Sequence, residues 1–144
     1  MPLFGKDTLS WARLGAKVTG LDFSEAAVQA AVALAREIGL DARFVTAGVY
    51  DAPGPLGGNT FDIVHTGAGA LCWLPDMTRW GKVVFDLLRP GGELHLHEFH
   101  PLKWIFGDTE RPAILDAYFT PAEGPRLGGV TYAGAMPLDT PALQ

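Results

Sequence analysis

Ala16-Lys17-Val18-Thr19-Gly20-Leu21-Asp22-Phe23-Ser24-Glu25 decides the fold. Ala16 to Leu21 reads as a strand, and its apolar character on both faces predicts burial on both sides, as in a parallel sheet. Asp22-Phe23-Ser24 closes the strand and opens a helix. Ser24 is a good N-cap, and Glu25 suits the positive end of a helix. A buried strand that runs into a helix is the unit from which parallel α/β sheets are built.

The same alternation continues downstream. Val28, Ala31, Val32, Ala35 and Ile38 share one helical face, with Gly39 as the stop. Ala42 to Thr46 is a second strand, followed by a turn-rich loop from Pro53-Gly54-Pro55 to Gly57-Gly58-Asn59. Phe61 to Thr66 is a third strand. Pro75 and Asp76 open another helix, with Met77, Trp80, Val83, Val84, Leu87 and Leu88 as its apolar stripe. Arg89-Pro90-Gly91-Gly92 reads as a turn, and Glu93 to Phe99 as a fourth strand. Upstream, a short helix is expected between a cap at Asp7 or Thr8 and a stop at Gly15. From Pro101 to Gln144 the pattern weakens into a Pro- and Gly-rich segment, with one short helix expected around Ala113 to Tyr118.

The bulk properties set limits. The 144 residues fit one domain, and 48% hydrophobic residues supply a core. A formal net charge of -5 disfavours a nucleic-acid-binding surface. Cys72 is the lone cysteine, which excludes an internal disulfide and suits a reducing compartment. No stretch approaches the ~20 apolar residues of a membrane span, and residues 1–5 do not read as a signal peptide. These features point to a cytoplasmic protein with neither nucleic acid nor membrane as partner. They carry no sign of oligomeric state.

In open α/β sheets ligands sit beyond the C-terminal ends of the strands, and three stretches fall there. Asp22 can accept both hydroxyls of a ribose; equally, it can help cap the next helix. The stretch from Val45 to Pro53 can hold an adenine with a backbone N–H and an apolar wall, or be an ordinary loop with a half-buried Tyr50. His65-Thr66-Gly67-Ala68-Gly69-Ala70 is small enough for a ligand to approach the backbone, or is a flexible turn. His65 and His100 are candidate general bases. His95, His97, Glu98 and His100 form H-x-H-E-x-H. One strand turns only His95 and His97 to the same face, and no second cluster completes the three or four ligands of zinc, so no metal site is expected. Trp80 fits the core, and Trp73 is the better candidate for a substrate pocket.

Phe61-Asp62-Ile63-Val64 followed by Leu88-Arg89-Pro90-Gly91-Gly92, with Val18-Thr19-Gly20-Leu21-Asp22-Phe23-Ser24 upstream, resembles the class I S-adenosylmethionine-dependent methyltransferases. The resemblance covers roughly Phe4 to Pro101. It implies a Rossmann-like three-layer α/β sandwich with a mainly parallel sheet, S-adenosyl-L-methionine as cofactor, and methyl transfer to a small-molecule acceptor. Asp22 would bind the ribose, Phe23 would lie near the adenosine, and Gly48, Val49 and Tyr50 would border the adenine. The family often has an acid where Gly48 stands. His65, Thr66 and Gly67 would lie near the methionine part and the methyl group.

The family's domain begins with a strand that ends in a glycine-rich loop. Phe4 to Leu9 corresponds to the end of that loop and the start of its helix, which places Gly5 at the cofactor. The expected domain is therefore incomplete, with the first central strand and the C-terminal strands missing. Residues 1–101 form a partial cofactor-binding core, and 102–144 a loop-rich segment of the same domain. In the family's strand order the absent strand lies between those holding Asp22 and Asp62. Its neighbours would then expose unpaired backbone groups, each costing roughly 1–3 kcal/mol where buried, or would close the gap and pair directly. Two alternatives stay open: an inactive fragment without tight cofactor binding, and a nicotinamide-dependent oxidoreductase, since the usual place of the G-x-G-x-x-G fingerprint is also absent.

Overall fold

The computed structural model describes residues 5–100 and Leu102. The expected helix around Ala113 to Tyr118 lies outside the described residues. The elements are α1 (Lys6–Arg13), β1 (Thr19–Asp22), α2 (Glu25–Glu37), β2 (Arg43–Thr46), a 3-10 turn (Val49–Asp51), β3 (Phe61–Thr66), a second 3-10 turn (Leu71–Trp73), α3 (Met77–Leu87) and β4 (Leu88–Leu96). The class is α/β, with parallel strands alternating with helices, as in part of a Rossmann-like methyltransferase fold. The chain divides into two compact units, one of Met1–Val64 with Asp76–Leu94, the other of His65–Pro75 with His95–Gln144.

In the first unit β1 and β2 pair in parallel, Thr19 opposite Arg43 and Asp22 opposite Thr46. Helix α2 starts where Ser24 Oγ accepts the Ala27 N–H at 3.3 Å, and the chain leaves it through Gly39 at φ 67°. The buried edge of α2 is Ala27, Ala31 and Ala35, while Ile38, expected on the apolar face, is 46% exposed. Small alanines let the helix lie close, and their edge is narrower than the stripe the sequence suggested.

The core of this unit joins Ala52 and Leu56 to Val83 and Leu87, with Leu21, Val45, Phe61 and Val64 packed against it. Trp80, Val83, Val84 and Leu87 of α3 are buried. Met77, placed in the same stripe by sequence, is exposed. Burying a leucine or valine side chain fully contributes roughly 1.5–3 kcal/mol, so this cluster outweighs any exposed ion pair. The stretch after β2, expected as loop, thus supplies two core residues.

Three further expectations are corrected. Strand β1 begins at Thr19 rather than Ala16. Helix α1 is capped by Gly5, in the left-handed region at φ 70°, with no side-chain cap from Asp7 or Thr8. The Arg89–Gly92 stretch lies within β4, because the backbone is already extended at Leu88, φ -87° and ψ 134°. Gly92 sits against the Phe61 and Asp62 carbonyls, where an added Cβ would be 3.0 Å from each oxygen. The strand ends at Leu96, not Phe99.

Among the described residues β1 pairs with β2 and β3 with β4, in two separate two-stranded sheets. The strands holding Asp22 and Asp62 do not close the gap between them. In β1 Gly20 is buried and Thr19, Leu21 and Asp22 are half-buried, whereas Ile63 of β3 and Leu94 and Leu96 of β4 are large, apolar and exposed.

Candidate cofactor site

In the first unit the C-terminal end of β1 carries Asp22. Its Oδ1 accepts the Ser24 N–H at 2.8 Å, so the carboxylate does open α2, as one reading of the sequence had it. That bond uses one oxygen; Oδ2 accepts no hydrogen bond among the described residues. The Asp22 carbonyl accepts the Ala47 N–H at 3.0 Å. Together with the parallel register, this brings the ends of β1 and β2 side by side. Phe23 projects from the same end and is 81% exposed.

Gly48 is extended, at φ -67° and ψ 147°, and leads into the turn that holds Val49 and Tyr50. The Tyr50 hydroxyl donates to the Asp76 carbonyl at 3.2 Å and accepts the Asp76 N–H at 3.0 Å. Asp76 Oδ1 in turn accepts the Arg79 N–H at 2.8 Å and caps α3. The Arg79 guanidinium lies 4.6 Å from the Tyr50 ring centroid, within cation–π range, and 3.5 Å from Asp51 Oδ1. Tyr50 is therefore fixed at its hydroxyl and covered at its ring. Sequence reasoning named Tyr50 but missed Arg79, whose guanidinium partners, Tyr50 and Asp51, lie far upstream in sequence.

Gly5 meets a different constraint. A Cβ there would stand 2.7 Å from Ala31 Cβ and 3.2 Å from the Phe44 ring. Its positive φ and lack of side chain let α1 start against α2 and β2.

In the second unit Thr66 accepts the His97 N–H at 3.1 Å through its carbonyl. The following small residues are held by Glu98: Oε2 accepts the Leu71 N–H at 2.8 Å, and Oε1 accepts the Phe99 N–H at 2.8 Å. Desolvation pulls the Glu98 carboxyl upward, but backbone N–H groups of Leu71, Phe99 and Gly69 and the nearby His97 outweigh it and hold it below its ordinary value of 4.5. Gly69, at φ 75°, packs on Phe99; an added Cβ would be 2.9 Å from that ring. Cys72 donates to the Gly69 carbonyl at 3.2 Å. Its thiol is raised above 9.0 by desolvation and by the Glu98 charge, so it stays protonated at neutral pH and is a poor nucleophile.

The methyltransferase-domain family matches residues 4–94, well over half of the chain. The chain belongs to that family. No match was found among the curated proteins. Among solved structures, this methyltransferase domain is similar to one described as "Conversion of a Disulfide Bond into a Thioacetal Group during Echinomycin Biosynthesis". The identity is 31% and the TM-score 0.57, over 65% of this chain and 40% of that one. This methyltransferase domain thus spans about two fifths of the length of that relative.

Within the methyltransferase domain, the candidate site residues divide between the units. Gly5, Asp22, Phe23, Gly48, Val49 and Tyr50 belong to the first, and His65, Thr66, Gly67 and His100 to the second. His100 Nδ1 accepts the Leu102 N–H at 3.2 Å, which leaves Nε2 as the position that carries the proton in the neutral ring. His65 is exposed. No group of three or more His, Cys, Asp or Glu side chains fit to hold a metal occurs among the described residues. Nor does any described helix have the length and apolarity to cross a membrane.

Proposed function

We propose that this methyltransferase domain transfers a methyl group from S-adenosylmethionine to a small-molecule acceptor. The observation that carries the reading is Asp22: a half-buried carboxylate at the C-terminal end of a parallel strand, with one oxygen committed to the Ser24 N–H and the other accepting no hydrogen bond among the described residues. An ionised oxygen so placed suits a ribose hydroxyl. The neighbouring Gly48–Tyr50 turn offers backbone groups and a fixed aromatic ring to an adenine, and exposed Phe23 offers an apolar cover. Gly5 and the Thr66-Gly67 backbone are the further contacts proposed for the methionine end.

When bound, the cofactor supplies a methyl group on a positively charged sulfur that is already a good leaving group. The chain's own work is then to hold that methyl in line with the acceptor and keep water away. A base is required only where the accepting atom carries a proton of high pKa; His65 and His100 are the side chains proposed for it. The matched structure concerns a biosynthetic conversion, which supports a small molecule as acceptor, as does the net charge of -5 against nucleic acid. The cytoplasm is the compartment proposed, consistent with a lone thiol at Cys72.

Titration calorimetry with S-adenosylmethionine, S-adenosylhomocysteine and NAD tests the reading. Micromolar binding of the first two and none of NAD is expected. A chain that melts cooperatively but binds none of them would overturn it and favour a domain without tight cofactor binding, a reading that the separate β1–β2 and β3–β4 sheets would then support.

A further inference from the structure

We propose that Glu98 is a positioning residue for the cofactor's methyl-donor end, acting through the segment that follows β3. The proposal rests on the methyltransferase reading above, which assigns Thr66 and Gly67 to that end.

Gly67-Ala68-Gly69-Ala70 has almost no side chain with which to pack, so its path must be fixed through the backbone. Glu98 does this from 27 positions away. One carboxylate oxygen takes the Leu71 N–H and the other takes the Phe99 N–H, each at 2.8 Å. The two bonds tie the start of the 3-10 turn directly to the residues just beyond β4. The His97 N–H to the Thr66 carbonyl makes a second tie between the same two stretches, and the Phe99 ring against Gly69 a third. Thr66 and Leu71 are thus both anchored, and the small residues between them have their ends fixed.

A carboxylate suits this position because it accepts on both oxygens and donates on neither. A glutamine has one acceptor oxygen and an NH2 group, which would face an N–H donor with another donor. Glu98→Gln therefore keeps the size of the side chain and breaks half of the tie.

The experiment compares adenosine with S-adenosylmethionine on the wild-type chain, Glu98→Gln and Glu98→Asp, by calorimetry, with thermal melts of each. Adenosine probes the Asp22 end alone. Glu98→Gln is expected to leave adenosine affinity within about twofold and to weaken S-adenosylmethionine at least about tenfold, as for loss of one charge-assisted hydrogen bond. Glu98→Asp, which keeps two acceptor oxygens on a shorter arm, should recover part of the loss. Equal losses for both ligands would show general loosening and overturn the positioning role, as would unchanged S-adenosylmethionine affinity in Glu98→Gln. Failure of the wild-type chain to bind either ligand would instead overturn the methyltransferase reading on which the proposal stands.

Discussion

Asp22 holds the entry to α2 and is proposed to hold a ribose, and a pair of substitutions separates the two roles. Asp22→Ala removes the acceptor of the Ser24 N–H and the oxygen assigned to the ribose. Asp22→Asn keeps a neutral acceptor for Ser24, at its present 2.8 Å, but removes the charge. Losing the Ser24 bond costs roughly 0.5–1.5 kcal/mol of folding stability, the usual net worth of one hydrogen bond. Losing a charge-assisted bond to the cofactor costs roughly 1.5–3 kcal/mol of binding. At about 1.4 kcal/mol per factor of ten, that is an affinity loss of about 10- to 150-fold. Urea denaturation should therefore place Asp22→Asn near the wild type and Asp22→Ala below it, whereas calorimetry with S-adenosylhomocysteine should show both variants weakened. If Asp22→Asn binds like the wild type while Asp22→Ala is merely less stable, the carboxylate is only the entry to α2, and the ribose role is refuted.

Other perturbations test the frame that presents this residue. Gly20→Ala would put a Cβ 2.6 Å from the Phe44 ring; such overpacking should cost about 1–3 kcal/mol in a urea melt, and no loss would mean Phe44 can turn aside freely. Leu56→Ala, at a side chain only 5% exposed in the core, should cost about 2–5 kcal/mol, whereas a loop residue would cost almost nothing. Glu98 titrates below its ordinary 4.5 in the folded chain, so its bonds contribute stability above that value and lose it as pH falls through the depressed one. The melting temperature of the wild type should exceed that of Glu98→Gln near neutral pH and converge on it in acid; a gap that widens in acid would reverse the sign.

The elements that were legible in the sequence are those whose signal is local. Strand β3 spans Phe61–Thr66, as its apolar run predicts, and α2 starts at Ser24 and stops before Gly39, as its cap and glycine predict. Asp22 was legible as a strand-end carboxylate because position in an α/β sheet alone selects it. What was not legible depends on distant partners. Arg89-Pro90-Gly91-Gly92 has turn composition, yet it is drawn into β4 beside the Phe61 and Asp62 carbonyls. Leu56 sits in a Gly- and Pro-rich stretch, and only Val83 and Leu87 of α3 make it core. Sequence left two outcomes open for the strands holding Asp22 and Asp62, direct pairing or unpaired neighbouring edges; among the described residues β1 pairs only with β2 and β3 only with β4, so direct pairing does not occur.

The same distinction explains why the segment after β3 reads as flexible in the sequence and is held in the structure. Its small residues remove the apolar contacts that normally fix a loop, and periodicity has nothing to record there. Backbone N–H groups remain, and each needs an acceptor. Leu71 finds one in Glu98 and Asp76 finds one in the Tyr50 hydroxyl, across 27 and 26 positions of sequence. Both acceptors are single side chains that composition alone marks as surface residues. If the segment lets a cofactor reach its backbone, as proposed, it gives up side-chain packing for that access, and polar ties from outside are the means left to hold it. Strand position alone marks Asp22 and Tyr50, but it does not show what each side chain holds: Asp22 takes the Ser24 N–H, Tyr50 the Asp76 N–H and, in the other unit, Glu98 the Leu71 N–H.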